Sequence, residues 1–121
     1  MSSRVLLIVD DSSAIRSVVG SYMSDVAGWQ VVTAADAGTG LLLAVEHEPA
    51  AIVLDNRMPG GDGIEVLPDL RRTCPEARIV MHTSEDVIDL RDSAARLGAD
   101  ALVPKGRPLH ELAAVLGETG S

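Results

Sequence analysis

The sequence predicts an α/β fold in which five parallel strands form one doubly wound sheet flanked by five helices. Five short apolar segments recur along the chain, and a stretch with apolar residues at helical spacing follows each of them. The apolar segments do not alternate with polar residues, which is typical of parallel strands buried on both faces. For such a sheet the common strand order is 2-1-3-4-5, with a topological switch point between strands one and three.

The first strand is predicted at Arg4–Val9, and Ser12 or Ser13 is the predicted N-cap of the helix that follows it. Ala27 and Gly28 end this helix. Its apolar positions recur at helical spacing and are expected to face the core, namely Ile15, Val18, Val19, Tyr22, Met23 and Val26.

The second strand is predicted at Gln30–Ala34, and Asp36 caps a helix that runs to about His47. The apolar positions of this helix are Leu41, Leu42 and Val45. The third strand covers Ala51–Leu54, and a loop rich in glycine and proline follows it. Because Pro68 lies within the next helical pattern, that helix either starts late, with Pro68 in its first turn, or kinks there.

The last two units complete the alternation. The fourth strand is predicted at Arg78–His82 and the fifth at Asp100–Val103. The helix between them spans Glu85–Leu97, and Pro108 opens the final helix. The apolar stripe of the final helix is Leu109, Leu112, Ala113 and Leu116.

Composition and charge restrict the class of protein. The 121 residues fit one domain, assigned to 1–117, with 118–121 as a flexible tail or the start of a linker. A net charge of −8 argues against direct binding to nucleic acid, which needs a concentrated basic face. One cysteine allows no internal disulfide, so we expect a reducing, cytoplasmic compartment. No apolar run approaches the ~18 residues of a membrane span, and we expect no signal peptide.

Polar residues with complementary chemistry follow the strands. Asp10 and Asp11 end the first strand and Asp55 ends the third, its neighbour at the switch point. Because the carboxyl ends of parallel strands meet at one edge, these acids should converge there. Thr83, after the fourth strand, and Lys105, just past the fifth, should lie at the same edge.

This set of residues favours phosphoryl chemistry with a metal ion. Three close carboxylates repel one another, so at least one should have a raised pKa unless a cation compensates. Mg²⁺ fits best, because it prefers hard oxygen ligands and often binds carboxylates together with phosphate oxygens. Asp55 is the better phosphoryl acceptor, since it stands alone on its strand while Asp10 and Asp11 form a pair suited to the metal.

Each of these residues also has an ordinary structural interpretation. Asp10 or Asp11 could cap the first helix, Thr83 could cap the fourth, and Lys105 could be a solvated surface residue. His82 is a candidate acid or base beside Thr83, but we interpret it as a packed or partly exposed strand residue.

Together the motifs resemble the receiver domain of two-component response regulators, over about Arg4 to Leu116. In chain order they are Val-Asp-Asp at 9–11, Leu-Asp at 54–55, Met-Pro-Gly at 58–60, Asp-Gly at 62–63, Thr-Ser at 83–84, Gly-Ala at 98–99 and Lys105. The resemblance implies a flavodoxin-like fold and a phosphoprotein that catalyses only its own phosphorylation and dephosphorylation.

The resemblance also implies a role for each site residue. Asp55 would accept a phosphoryl group from a phosphohistidine on a sensor histidine kinase or phosphotransfer protein. Thr83 and Lys105 would contact that group. Mg²⁺ would be held by Asp10, Asp11, Asp55 and the main-chain carbonyl of Arg57.

Two positions depart from the family pattern. Leu102 stands where an aromatic residue often changes rotamer on activation, and Gly106 follows the lysine where proline is usual. By resemblance, the face made by the fourth helix, fifth strand and fifth helix would contact an output domain, a downstream protein or a second copy. An ion pair between Arg57 and Glu85 across the site is a further hypothesis.

Two other functions stay open. Because of the departures at Leu102 and Gly106, one alternative is a receiver-like interaction module that is never phosphorylated. A phosphohydrolase with an aspartate nucleophile is less favoured, because its motif has an acid two residues after the nucleophile, where this chain has Arg57. No output domain fits in 121 residues, so the chain is either a stand-alone regulator or a receiver cut from a longer protein.

Overall fold

The computed structural model describes residues 4–84 and 88–117. The strands are β1 (Val5–Val9), β2 (Gln30–Ala34), β3 (Ala51–Leu54), β4 (Arg78–Thr83) and β5 (Ala101–Pro104). The helices are α1 (Ser13–Asp25), α2 (Ala37–His47), α3 (Gly63–Thr73), α4 (Ile88–Leu97) and α5 (Leu109–Leu116). The strands form one parallel sheet in the order β2-β1-β3-β4-β5, which confirms the predicted fold.

Most helices and strands begin and end within one residue of the predicted positions, and capping hydrogen bonds fix the starts of α1 and α2. The Ser12 hydroxyl accepts the Ile15 N–H at 3.2 Å and is the N-cap of α1. Asp36 caps α2 as predicted. The fourth strand reaches one residue beyond its predicted end, and the fifth is shifted by one residue. The predicted start of the fourth helix at Glu85 lies outside the described residues.

Pro68 lies inside α3 rather than in its first turn, so of the two alternatives the late helix start is wrong. The helix begins at Gly63 because side chains satisfy backbone groups upstream of the proline. The Asp62 N–H donates to Glu65 Oε1 at 2.9 Å, and Asn56 Oδ1 accepts the Ile64 N–H at 3.0 Å. Within the established helix, Pro68 lacks the N–H that would bond the carbonyl four residues earlier, and its ring crowds that carbonyl.

Two apolar cores cover the two faces of the sheet. One includes the buried Val9, Leu54 and Met81 of the strands with residues of α2, α3 and α4, among them Ala44, Leu67, Leu70 and Ala94. The other includes Ile8, Val53 and Val80 with residues of α1 and α5, namely Val19, Met23, Leu112 and Leu116. Within the described ranges, no helix has the length and apolar character needed to cross a membrane.

The predicted apolar faces of α1 and α2 are partly wrong. Val18 of α1 and its C-cap Val26 are 58% and 67% exposed, and Leu42 and Val45 of α2 are 71% and 62% exposed. In α2 the buried positions are the small residues, Gly40 and Ala44. Because they let the helix backbone approach β1 closely, the larger side chains at 42 and 45 lie on the outer face.

This close approach predicts opposite effects for two glycines of the same helix. A Cβ on Gly40 would lie 2.9 Å from Cγ2 of the buried, stiff Val9. We expect Gly40→Ala to destabilise the protein by about 1–3 kcal/mol through overpacking. Gly38→Ala, whose Cβ meets nothing closer than Asp36 Oδ1 at 3.5 Å, should instead add about 0.5–1 kcal/mol from helix propensity. Urea unfolding of both variants checks this, and equal stabilities would contradict the packing argument.

Candidate functional site

The pairing of β1 with β3 brings the predicted acids together. Val9 pairs with Leu54, and the Asp55 N–H donates to the Val9 carbonyl at 2.9 Å. Asp10 and Asp11 follow β1 directly. One carboxylate oxygen from each of Asp10, Asp11 and Asp55 lies within 4.8 Å of the other two. The expected convergence at the switch point is therefore present in the structure.

The three carboxylates differ in their exposure to solvent. Asp10 is 1% exposed and Asp55 is 4% exposed, whereas Asp11 faces solvent. A cleft of about 650 Å³ adjoins Asp11 and is lined also by Asp36, Pro59 and Gly60. The cluster thus has a buried floor of two acids and an open side through which a soluble reactant can approach.

Lys105 closes the cluster from the β5 side. Its Nζ lies 2.8 Å from Asp10 Oδ2 and 3.3 Å from Asp55 Oδ2. The backbone holds it there, because the Lys105 N–H donates to the Thr83 carbonyl at 2.8 Å and Gly106 turns the chain with a φ of 92°. The interpretation of Lys105 as a solvated surface residue is therefore wrong.

Burial and the neighbouring charges together raise the pKa values of both Asp55 and Lys105. Burial, followed by repulsion from Asp10, raises the pKa of Asp55 to about 6 although Lys105 acts against this. Burial alone would lower the pKa of Lys105, but its hydrogen bonds and attraction to Asp10 and Asp55 raise it. The prediction that a crowded carboxyl has a raised pKa is confirmed for Asp55, with burial as the larger cause.

Asp10 also organises the turn into α1. Its Oδ1 accepts the Ser12 N–H at 2.9 Å, and its carbonyl accepts an N–H from the Arg16 guanidinium at 2.8 Å. Because Ser12 is the N-cap, the alternative that Asp10 or Asp11 simply caps the first helix is wrong. The hydrogen bonds instead fix the Asp10 carboxylate next to Lys105.

The last residues of β4 are buried beside this cluster. Thr83 is buried at the carboxyl end of the strand, where its carbonyl accepts the Lys105 N–H. His82 is buried as well, and burial, followed by the positive charge of Lys105, lowers its pKa to about 4. His82 is therefore neutral at pH 7 and packed within the strand, as interpreted from the sequence. Glu85, the hypothesised ion-pair partner of Arg57, lies outside the described residues.

One residue beside the acids has a structural role that the sequence analysis missed. Asn56 is buried directly after Asp55, and its N–H donates to Asp55 Oδ1 at 2.8 Å. Its side chain accepts the Ile64 N–H at the start of α3. The sequence signal was a polar residue at the end of an otherwise apolar strand, in a loop where many polar residues are simply solvated.

The donor set of the cluster fits a hard divalent cation. Its side-chain donors are carboxylate oxygens from Asp10, Asp11 and Asp55, and these are the ligands that Mg²⁺ and Ca²⁺ prefer. Two of the three carboxylates are buried, so a cation would relieve both their repulsion and their desolvation. Among the residues that the structure describes, this is the one such group of His, Cys, Asp and Glu side chains.

Solved structures share this architecture. Chemotaxis protein CheY4 of Vibrio cholerae is 29% identical, with a TM-score of 0.85 over 94% of this chain and 96% of that one. A response regulator protein of Burkholderia pseudomallei, solved with a phosphorylated aspartic acid, calcium and citrate, is 23% identical, with a TM-score of 0.88. That match covers 94% of this chain and 66% of the other, and it shows a common fold.

Sequence comparison identifies the family. The chain is 37% identical over 109 residues to response regulator MprA of Mycobacterium sp. (strain KMS), which is 90% of this chain and 47% of that protein. It is 36% identical over 110 residues to response regulator GacA of Pseudomonas aeruginosa, covering 88% of this chain and 50% of that protein. The chain thus spans about half the length of the curated relatives it matches. The profile of the response regulator receiver domain matches residues 6–116, and the chain belongs to this family of two-component signalling domains.

Proposed function

We propose that this chain is a phosphorylation-dependent switch in which Asp55 accepts a phosphoryl group in the presence of Mg²⁺. The observation that carries the proposal is the contact of Lys105 Nζ with Asp10 and Asp55, at 2.8 and 3.3 Å, within a cluster of three carboxylates. We assign this function to a domain of residues 1–117, with 118–121 as a tail or the start of a linker. The phosphoryl donor is a phosphohistidine of a sensor kinase or phosphotransfer protein.

The metal ion belongs to the acid cluster in this proposal. Asp10, Asp11, Asp55 and the main-chain carbonyl of Arg57 would hold it. When bound, Mg²⁺ supplies positive charge that offsets the carboxylates and the oxygens of the incoming phosphoryl group. Mg²⁺ suits the site better than Zn²⁺, because the donors are hard oxygens without histidine or cysteine.

Phosphoryl transfer then depends on how Asp55 is held. A carboxylate oxygen of Asp55 bonds to phosphorus while the bond from phosphorus to the histidine nitrogen breaks, which leaves an acyl phosphate and a free imidazole. The Asn56 N–H fixes the carboxylate through Oδ1 at 2.8 Å, so little reorientation is needed. Lys105 and the Thr83 hydroxyl are assigned to the phosphoryl oxygens, whose negative charge grows at the site.

Phosphorylation would change the conformation of the face formed by α4, β5 and α5, and a partner would bind there. Leu102 is buried in the core with Met81 and Ala94, so no aromatic ring is available there to change rotamer. The connections that remain are the hydrogen bond from the Lys105 N–H to the Thr83 carbonyl, at 2.8 Å, and the one from the Arg91 guanidinium of α4 to the Leu102 carbonyl, at 3.1 Å. A state of this face that binds the phosphoryl group better would be populated on phosphorylation. Its partner is an output domain, a downstream protein or a second copy.

Labelling with a small acyl phosphate tests the proposal. We expect Mg²⁺ and acetyl phosphate to add one phosphoryl group to the wild type, as measured by intact mass. Asp55→Asn should not be labelled, because the amide is a poor nucleophile. Asp25→Asn, at the exposed end of α1, is the matched control and should be labelled like the wild type.

Two results would count against this function. Labelling that persists in Asp55→Asn would remove Asp55 from its role. A wild type that stays unlabelled with Mg²⁺ present would favour the alternative of a receiver-like interaction module.

The raised pKa of Asp55 predicts a pH-dependent gain in stability for Asp55→Asn in a chelating buffer. A carboxyl whose pKa rises from 3.8 to about 6 on folding stabilises the fold below its unfolded pKa and loses this contribution as pH increases through 6. The neutral amide avoids that loss, so the gain should approach about 3 kcal/mol at pH 8 and nearly vanish at pH 4. Urea unfolding from pH 4 to 8 measures it, and a gain independent of pH would contradict the assigned charge.

Lys105 and Mg²⁺ should compete for the same carboxylates. Lys105→Met removes the ammonium group beside Asp10 and Asp55, so we expect a lower melting temperature in EDTA and a larger rise on adding Mg²⁺ than in the wild type. The control is Arg107→Met, which removes a nearby cation that pairs only with Glu111 in the described structure. Equal Mg²⁺-induced rises for Lys105→Met and Arg107→Met would argue against a shared site.

A further inference from the structure

Asn56 connects the carboxylate of Asp55 to the amino terminus of α3. Its N–H donates to Asp55 Oδ1 at 2.8 Å, and its carbonyl accepts the Gly63 N–H at 2.6 Å. Its side-chain Oδ1 accepts the Ile64 N–H at 3.0 Å. Two hydrogen bonds of Asn56 therefore join the end of β3 to the first turn of α3, and the third holds the Asp55 carboxylate.

The burial of this amide needs a physical reason. Asn56 is only 4% exposed, and burying an amide costs free energy unless its polar atoms are paired. The first N–H groups of a helix have no partner within the helix, and the Asn56 side chain supplies one for Ile64. Removing the acceptor would leave that N–H unsatisfied in a partly buried position, at the full desolvation cost of the group.

The same contacts close the loop 57–62, which lies between Asn56 and Gly63. The start of α3 rests directly on the backbone of Asp55, because a Cβ on Gly63 would clash with the Asp55 carbonyl oxygen. The loop begins with Arg57, the residue whose carbonyl is assigned to the metal. A loop that opened at Asn56 would move this carbonyl relative to the Asp55 carboxylate.

We infer that Asn56 is a positioning residue for the metal site, because its side-chain oxygen holds the loop 57–62 so that the Asp55 carboxylate and the Arg57 carbonyl face one cation. The inference rests on the proposed use of Mg²⁺ by this site. Asn56 makes no contact with the metal in this arrangement and acts through the N–H of Ile64. Groups that orient metal ligands in this indirect way typically change metal affinity by about 10- to 100-fold when removed.

Three proteins test the inference without phosphorylation. Asn56→Leu keeps the approximate size of the side chain and removes the acceptor, whereas Asn56→Asp keeps an acceptor at the same place. Calorimetric titration of each with Mg²⁺ should show about tenfold weaker binding for the leucine variant, and affinity at least equal to the wild type for the aspartate variant. Ile79→Val, at the far end of β4, is a control for lost stability and should bind Mg²⁺ like the wild type.

Asn56→Asp adds a charge near the metal site, which could change Mg²⁺ affinity by itself. Amide hydrogen exchange in EDTA reports the contact between residue 56 and Ile64 without any metal bound. The Ile64 N–H should exchange slowly in the wild type and in Asn56→Asp, and about tenfold faster or more in Asn56→Leu. Wild-type Mg²⁺ affinity or wild-type Ile64 exchange in the leucine variant would overturn the inference. If the leucine variant does not fold, Asn56→Ala replaces it under the same criteria.

The outcome is separable from that of the proposed function. A wild type that binds Mg²⁺ and depends on Asn56 for it, but is not labelled by acetyl phosphate, would refute the switch and support the positioning role. A wild type that is labelled, with a leucine variant of unchanged Mg²⁺ affinity, would refute the positioning role alone.

Discussion

The structure depends on two buried carboxylates, those of Asp10 and Asp55, that share one ammonium group at the edge of a parallel sheet. Both side chains are buried, and burial followed by repulsion from Asp10 disfavours the ionised form of Asp55. Lys105 offsets part of this, yet the pKa of Asp55 still rises to about 6. The negative charge of this site is therefore only partly compensated by Lys105. A divalent cation, or a change of charge on Asp55, would change the charge balance of the site strongly.

The rest of the fold makes this arrangement rigid. The register of β1, β3, β4 and β5 fixes where each strand ends, and the two apolar cores on either side hold the strands in that register. The acids and the lysine lie in or next to loops. The N–H groups of Ser12 and Asn56 donate to the Asp10 and Asp55 carboxylates, and the Lys105 N–H donates to the Thr83 carbonyl, so these loops are restricted.

The sequence was sufficient for the strand order and for the convergence of Asp10, Asp11 and Asp55, since both follow from parallel alternation and strand ends. It was insufficient where small residues decide the packing. Gly40 and Ala44 face the sheet in α2, so hydrophobicity alone wrongly assigned Leu42 and Val45 to the core. The roles of the buried Asn56 amide and of burial in the pKa of Asp55 depend on distances and solvent access, which spacing along the chain does not encode.

Binding of one cation among the three acids can be located by anomalous scattering from crystals soaked in Mn²⁺, a substitute for Mg²⁺. We expect one strong anomalous peak between Asp11 and Asp55, within coordination distance of a carboxylate oxygen and of the Arg57 carbonyl. Clear density for all three acids with no peak among them at saturating Mn²⁺, or a peak held by other residues, would contradict it.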